Sequence, residues 1–271
     1  NLGFIYAFNY IEEKILWAKD VKVPFRSNLK IKGDKLIAAD QNNNVYFLNK
    51  KNGEILKLIP TEDSNIKNNF KNSFSYNKDL IFFLNTYGSL YAINNSNNQV
   101  KWVINLNQSL DINPNNLFNA NQIISNDDTI IVTSHDATYV IDALRGTIKQ
   151  KFNIISQIKP LILNHYLFLV SSNNLLISID LKNGEVIYSY DINKKIADFL
   201  DIKKKNALFK SIMIANDKIL ILLKNSYFLE FEVNGKLKNV FKLPKKIKSD
   251  FIFIDNSILY LDRKNKIIIL G

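Results

Sequence analysis

The sequence predicts an all-β fold, a β-propeller of four-stranded antiparallel blades with seven repeat copies, the first and last of them incomplete. Three observations carry that prediction. The apolar runs are short, rich in Ile, Phe, Tyr and Val, and bounded by Asn, Asp and Gly, which is strand-and-turn chemistry rather than a helical period. A short apolar strand closed by an acidic or amide residue returns along the whole chain. Between its returns lies the same order of lead-in, strand and turn.

The returning strand reads Phe4-Ile5-Tyr6-Ala7-Phe8-Asn9, Val45-Tyr46-Phe47-Leu48-Asn49, Leu90-Tyr91-Ala92-Ile93-Asn94 and Thr138-Tyr139-Val140-Ile141-Asp142. It continues as Leu176-Ile177-Ser178-Ile179-Asp180 and Phe228-Leu229-Glu230-Phe231-Glu232, and Ile267-Ile268-Ile269-Leu270 closes the chain. The spacings from the first six closing residues are 40, 45, 48, 38 and 52, around the ~40–45 residues of a four-stranded blade.

Within a copy the first strand alternates behind a polar lead-in, as in Ser27-Asn28-Leu29-Lys30-Ile31 and Lys210-Ser211-Ile212-Met213-Ile214. The second strand is apolar on both faces, as in Leu36-Ile37-Ala38-Ala39, Leu80-Ile81-Phe82-Phe83 and Leu167-Phe168-Leu169-Val170, the pattern of a strand covered on both sides. The third is the returning strand. The fourth is half-polar, as in Ile15-Leu16-Trp17-Ala18 and Val100-Lys101-Trp102-Val103. Only 8 glycines serve all these turns, so Asn takes over many of them, because its side chain bonds locally and tolerates the left-handed backbone region. Asp142 and Asp180 hold the slot of Asn9, Asn49 and Asn94. An amide that serves as well as a carboxylate points to turn formation.

The chain enters at a third strand and leaves after one. Residues 1–271 therefore read as a single propeller domain whose N-terminal part, about 30–40 residues by the blade length, lies upstream. Two connections break the rhythm. Residues 107–121 carry Leu110, Ile112, Leu117 and Phe118, either tucked onto the propeller or offered to a partner. Residues 191–206 carry Lys194-Lys195 and Lys203-Lys204-Lys205, and Ile196 with Phe199-Leu200 suits a short helical turn.

Composition excludes several chemistries. With no cysteine there is no disulfide, thiolate metal site or cysteine nucleophile. Hydrophobic residues are 46% and charged residues 23%, globular proportions, and no apolar run nears the ~18–20 residues of a membrane helix. The net charge is +11. Lys, Asn and Ile dominate together and all have A/T-rich codons, so genome composition is the first explanation; an acidic partner is the second.

Site chemistry is sparse. His135 and His165 read as polar turn residues in the same slot of adjacent repeats. Trp17, Trp102 and Tyr188 share a fourth-strand slot that Lys57 and Gln150 fill elsewhere. They read as blade-packing aromatics, with a platform for a quinone or a base as the minor alternative. No catalytic, cofactor-binding or metal-ligating set is assigned, and no phosphate loop, nucleophile elbow or nucleic-acid module is present.

Gly3-Phe4-Ile5-Tyr6-Ala7-Phe8-Asn9 followed by Ile15-Leu16-Trp17, and Gly88-Ser89-Leu90-Tyr91-Ala92-Ile93-Asn94 followed by Val100-Lys101-Trp102, resemble the repeat of PQQ-like, quinoprotein-type propellers. Within these the chain is most similar to the BamB family of outer-membrane assembly factors, over nearly its whole length and most sharply at residues 100–106. That family has eight blades where seven copies stand here. The resemblance implies a non-catalytic periplasmic scaffold at the outer membrane of a Gram-negative bacterium, a lipoprotein touching the membrane only through an upstream lipid anchor. It implies no cofactor and no nucleic acid, and a monomer within a hetero-complex whose partner is the POTRA domains of the barrel-assembly subunit. Ser109-Leu110-Asp111-Ile112-Asn113 stands where the family's partner loop reads Ser-Leu-x-Leu-Arg, so the partner-binding residues would be Leu110, Ile112 and Asn113, the last in place of the arginine. The family's acidic loop one blade later has no counterpart in residues 153–159. A propeller for another envelope protein or a polysaccharide is the alternative. A PQQ-dependent dehydrogenase is disfavoured by the absence of cysteine and the shortage of tryptophan.

Overall fold

The computed structural model describes residues 3–9, 11–63, 72–107, 117–254 and 257–270. Among these residues the chain has seven antiparallel sheets and one helix, with strands hydrogen-bonded in sequence order. The first sheet has two strands, β1 (Phe4–Asn9) and β2 (Lys14–Asp20). Two full blades follow, β3 (Lys30–Lys32), β4 (Lys35–Ala39), β5 (Val45–Asn49) and β6 (Ile55–Ile59), then β7 (Ser73–Tyr76), β8 (Leu80–Leu84), β9 (Ser89–Asn94) and β10 (Val100–Asn105). The next is β11 (Ile124–Ser125), β12 (Thr129–Thr133), β13 (Thr138–Asp142) and β14 (Ile148–Phe152). Two more are β15 (Leu161–Leu163), β16 (Tyr166–Val170), β17 (Leu175–Asp180) and β18 (Val186–Asp191), and β19 (Phe209–Ala215), β20 (Lys218–Leu223), β21 (Tyr227–Glu232) and β22 (Leu237–Lys242). The last sheet has three strands, β23 (Ile252–Ile254), β24 (Ser257–Leu261) and β25 (Ile267–Leu270). The fold is a β-propeller of four-stranded blades with incomplete first and last copies.

The described chain forms two compact units, residues 1–135 with 139–151, and residues 136–138 with 152–271. In the first, Ile37, Ala39, Val45 and Phe47 of one blade pack on Phe74, Ile81, Phe83 and Ile93 of the next. In the second, Phe168, Val170 and Leu176 meet Ile212, Ile219, Ile221 and Leu229, while Leu222 joins Leu243, Ile247, Phe251 and Tyr260. Each Val, Leu, Ile or Phe among these contributes about 1.5–3 kcal/mol when fully buried. The second strands β4, β8, β12, β16 and β20 are buried nearly throughout, whereas the fourth strands β6, β10, β14 and β18 are mostly exposed or half-buried. This is the difference the side-chain pattern dictates.

The turn after the third strand works through one oxygen. The side-chain oxygens of Asn9, Asn49, Asn94, Asp142 and Asp180 each accept the amide N–H two residues on, at 2.8–3.0 Å. Amide and carboxylate are interchangeable there because only an acceptor is required. Backbone φ is positive at Asn43, Asn98, Asn164, Asn174, Asn216 and Asn265.

Two expectations change. The segment after β18 is not a single turn but a nine-residue helix, α1 (Ile192–Leu200). Asp191 caps it by accepting the Lys194 amide at 3.0 Å, and Ile192 and Ala197 are buried beneath it. The histidines do not share a slot: His135 follows the second strand of its blade, whereas His165 sits in the turn between the first and second strands, β15 and β16. The third strand fixes the repeat only locally, and the lengths of the neighbouring turns vary too much to carry its alignment across a whole blade.

Candidate partner interface

The residues assigned to partner binding, Leu110, Ile112 and Asn113, lie outside the described residues. The stems that flank them are described, and both are tied to one turn. Leu106, buried, donates its amide to the Gly88 carbonyl at 2.9 Å, and Phe118 donates its amide to the Thr86 carbonyl at 2.9 Å. The Phe118 ring lies over Gly88, where a Cβ would stand 2.8 Å from its Cγ. Gly88 has a φ of +87°, so both its backbone conformation and this close approach exclude a side chain. Phe118 is thereby tucked onto its own unit, while Leu117 stays half-buried.

The same turn holds a second connection. Asn43, fully buried with a φ of +65°, donates from Nδ2 to the Glu62 carbonyl at 2.9 Å and to Thr86 Oγ1 at 3.1 Å. Its Oδ1 accepts from Asn72 Nδ2 at 3.1 Å, and Thr61 Oγ1 donates to its backbone carbonyl at 2.7 Å. One asparagine side chain therefore ties together Glu62, Asn72 and the Thr86 turn to which Leu106 and Phe118 are bonded. Glu62 adds a carboxylate bridge, with Oε2 accepting from Asn85 Nδ2 at 2.6 Å and Oε1 from Ser89 Oγ at 2.9 Å. Burial, and then that carboxylate, push the Tyr91 phenol above its usual range. The Asn42-Asn43-Asn44 run signals only a turn in the sequence, since the hub depends on partners 18 to 43 residues away. Below the hub, Asp40 is fully buried and satisfied by the Asn42 and Asn44 amides, Asn44 Nδ2 and the Tyr46 hydroxyl at 2.8–3.0 Å.

Trp17, Trp102 and Tyr188 all sit on the last strand of their sheets, β2, β10 and β18, and share one geometry. Trp17 Nε1 donates to the Lys50 carbonyl at 3.0 Å, Trp102 Nε1 to Ala143 at 3.2 Å, and Tyr188 Oη to Val233 at 2.8 Å. Trp17 covers Gly53 and Trp102 covers Gly146, and Tyr188 covers Gly235 in the same turn of the following blade together with Tyr190. Burial holds the Tyr188 phenol well above its ordinary pKa. At two further positions of this slot, Lys57 is exposed and Gln150 half-buried. Among the described residues no three His, Asp or Glu side chains gather as metal ligands. His135 packs edge-on to Phe118 at 6.5 Å between ring centres, and His165 Nε2 lies 3.9 Å from Asp180.

A family model described as outer membrane protein assembly factor BamB matches residues 3–190. Among solved structures, BamB from Moraxella catarrhalis superposes with a TM-score of 0.74 at 12% identity, covering 99% of this chain and 78% of that one. The β-propeller domain of Cps50 (Swd1) from Myceliophteria thermophila superposes with a TM-score of 0.60 at 8% identity, covering 92% and 86%. At such identities these likenesses show the fold. No curated protein matches the sequence. Because the family model spans well over half of its residues, the chain belongs to the family of the outer membrane protein assembly factor BamB.

Proposed function

We propose that the chain is a non-catalytic scaffold of the outer-membrane β-barrel assembly machinery. It works as one propeller domain in the periplasm of a Gram-negative bacterium, holding the POTRA domains of the barrel subunit, with Leu110 and Ile112 as apolar anchors and Asn113 as a polar neighbour. The observation that carries this reading is the family match over residues 3–190, which takes in the whole of residues 107–121 and the turn that ties their stems. A loop fixed at its base loses less freedom on binding, so more of the contact energy remains as affinity. A few large apolar side chains then suffice for most of that affinity.

The test is binding of the full-length chain to the POTRA region of the same organism's barrel-assembly protein, alongside Leu110→Asp/Ile112→Asp. The expected result is micromolar or tighter binding that the double variant weakens by roughly 100-fold, in line with the loss of two anchors. Binding that survives the variant would place the contact elsewhere on the chain. A folded chain that does not bind would overturn the scaffold reading.

A further inference from the structure

We propose that one end of the second unit is a docking surface for an anionic lipid bilayer; this goes beyond the scaffold reading and does not depend on it. The surface is built by the turn after β20, the connection between β22 and β23, and the turn between β24 and β25. Together these present Lys224, Lys245, Lys246, Arg263, Lys264 and Lys266, all exposed and, among the described residues, all without a carboxylate partner. Two adjoining concavities of about 440 and 370 Å³ share Lys246 and Arg263 in their walls.

The backbone fixes this array. Arg263 donates its amide to the Lys246 carbonyl at 2.9 Å, Lys224 donates to Leu208 at 2.8 Å, and Ile247 donates to Ser226 Oγ at 2.9 Å. The nearby acids are turned to other partners. Asp262 is buried, its carboxylate accepting the Lys264 and Lys266 amides at 2.8 and 2.9 Å. Asp191 caps α1 and pairs with Lys204 at 2.6 Å, and Asp250 faces Lys210 at 3.9 Å. Asp250 stays exposed, as do Asp198 and Asp201 at the C-terminal half of α1.

The opposite end of the same blade is composed differently. There Lys238 pairs with Glu232 at 2.9 Å, and Asp217 lies beside Lys218. Around the two concavities, by contrast, every exposed charged side chain in the walls is Lys or Arg.

Two features favour a bilayer over other polyanions. The walls of both concavities contain no aromatic ring, so the stacking platform that single-stranded nucleic acid needs is missing. The lysines also adjoin exposed apolar side chains: Phe199, Leu200, Ile202 and Leu208 are 47%, 40%, 49% and 65% accessible, and Lys203 and Lys205 lie between them in the chain. Leu208 itself lines the larger concavity beside Lys224, Lys246 and Arg263. Basic heads for lipid phosphates beside apolar groups that enter the headgroup region make an interfacial surface.

The experiment is co-sedimentation of the full chain with phosphatidylcholine vesicles, with and without phosphatidylglycerol, across a salt series. Lys224→Gln/Lys246→Gln/Arg263→Gln is compared with Lys218→Gln/Lys236→Gln/Lys238→Gln, which removes the same charge from the opposite end. The expected result is binding only to the anionic vesicles, falling as salt shortens the screening length. The first triple variant should weaken it roughly 100-fold, and the second should leave it unchanged. A folded chain that ignores anionic vesicles would overturn the proposal. So would equal losses in the two variants, which would mean that net charge rather than this face governs binding. Capture of soluble polyglutamate with no binding to vesicles would also overturn it, in favour of an acidic protein partner.

Discussion

The Trp102 indole leans so closely on Gly146 that a Cβ at that glycine would stand 2.7 Å from Trp102 Cδ2, while Nε1 of the same ring donates to Ala143 three residues earlier. At Gly235 the glycine lies under two stacked rings, and a Cβ there would meet Tyr190 at 2.7 Å and Tyr188 at 2.8 Å. The aromatic ring and the bare backbone fit each other, so each position constrains the other.

Gly146→Ala therefore meets two penalties, because Gly146 has a φ of +75° and the new methyl group collides with the indole. Backbone strain of about 1–2 kcal/mol and overpacking of about 1–3 kcal/mol predict a loss of roughly 2–5 kcal/mol in denaturant unfolding. Combining it with Trp102→Ala should recover the overpacking part, so the double variant should lose less than the two single variants added together. Strict additivity would show that the ring and the glycine are not coupled.

Asn43 governs the candidate interface from beneath. Asn43→Ala removes its bonds to Glu62, Asn72 and Thr86 and places alanine at a positive φ. The expected cost is about 2–4 kcal/mol. Asn43→Gly keeps the backbone relaxed and isolates the side-chain bonds. In both variants the Phe118 amide, bonded to the Thr86 carbonyl, should exchange faster with solvent. Unchanged exchange at Phe118 would separate the loop base from the hub.

Much of this architecture was legible because strand periodicity is local. Five residues such as Leu36-Ile37-Ala38-Ala39-Asp40 specify a strand buried on both faces and the turn that follows it. The Trp17, Trp102 and Tyr188 slot was visible as a repeat of aromatic character, but the carbonyl each residue bonds belongs to another blade and carries no sequence mark. Asn43 was hidden for the same reason, as one asparagine among 39, distinguished only by what folding brings to it. The shared slot assigned to His135 and His165 failed where turn lengths vary, since nothing in the packing fixes the number of residues in an exposed turn. The helix α1 was partly legible, from Ile196, Phe199 and Leu200, but its length rests on the Asp191 cap and on burial of Ile192 and Ala197.

That cap links stability to acid. The Lys204 ammonium, and then the Lys194 amide, hold the Asp191 carboxyl below the ordinary aspartate range. A depressed folded pKa stabilises the fold above the unfolded value of about 3.9, and that contribution is lost as pH falls through the folded value. Asp191→Asn retains a cap acceptor but loses the ion pair, so its unfolding free energy should vary less steeply with pH below about 5. Asp191→Ala should cost about 1 kcal/mol at neutral pH. Urea unfolding across the acid range measures both, and identical acid slopes for wild type and Asp191→Asn would remove Asp191 from the linkage.

At the alkaline end the corresponding group is Tyr46. Burial, and then the Asp40 carboxylate 3.0 Å from its hydroxyl, push its phenol up to about 12. Here the folded pKa is raised, so the contribution to stability is fully present below the unfolded value of about 10 and is lost as pH rises from there through about 12. Tyr46→Phe should therefore remove one late-ionising phenol from an ultraviolet titration of the folded chain and flatten part of the alkaline loss of stability. At neutral pH it should cost about 1.5 kcal/mol, because Asp40 loses its hydroxyl donor but keeps the Asn42 and Asn44 amides and Asn44 Nδ2. Were the same number of phenols to ionise late in both proteins, the hydroxyl of Tyr46 would have to be in ordinary contact with water, and Asp40 would not be its partner in solution.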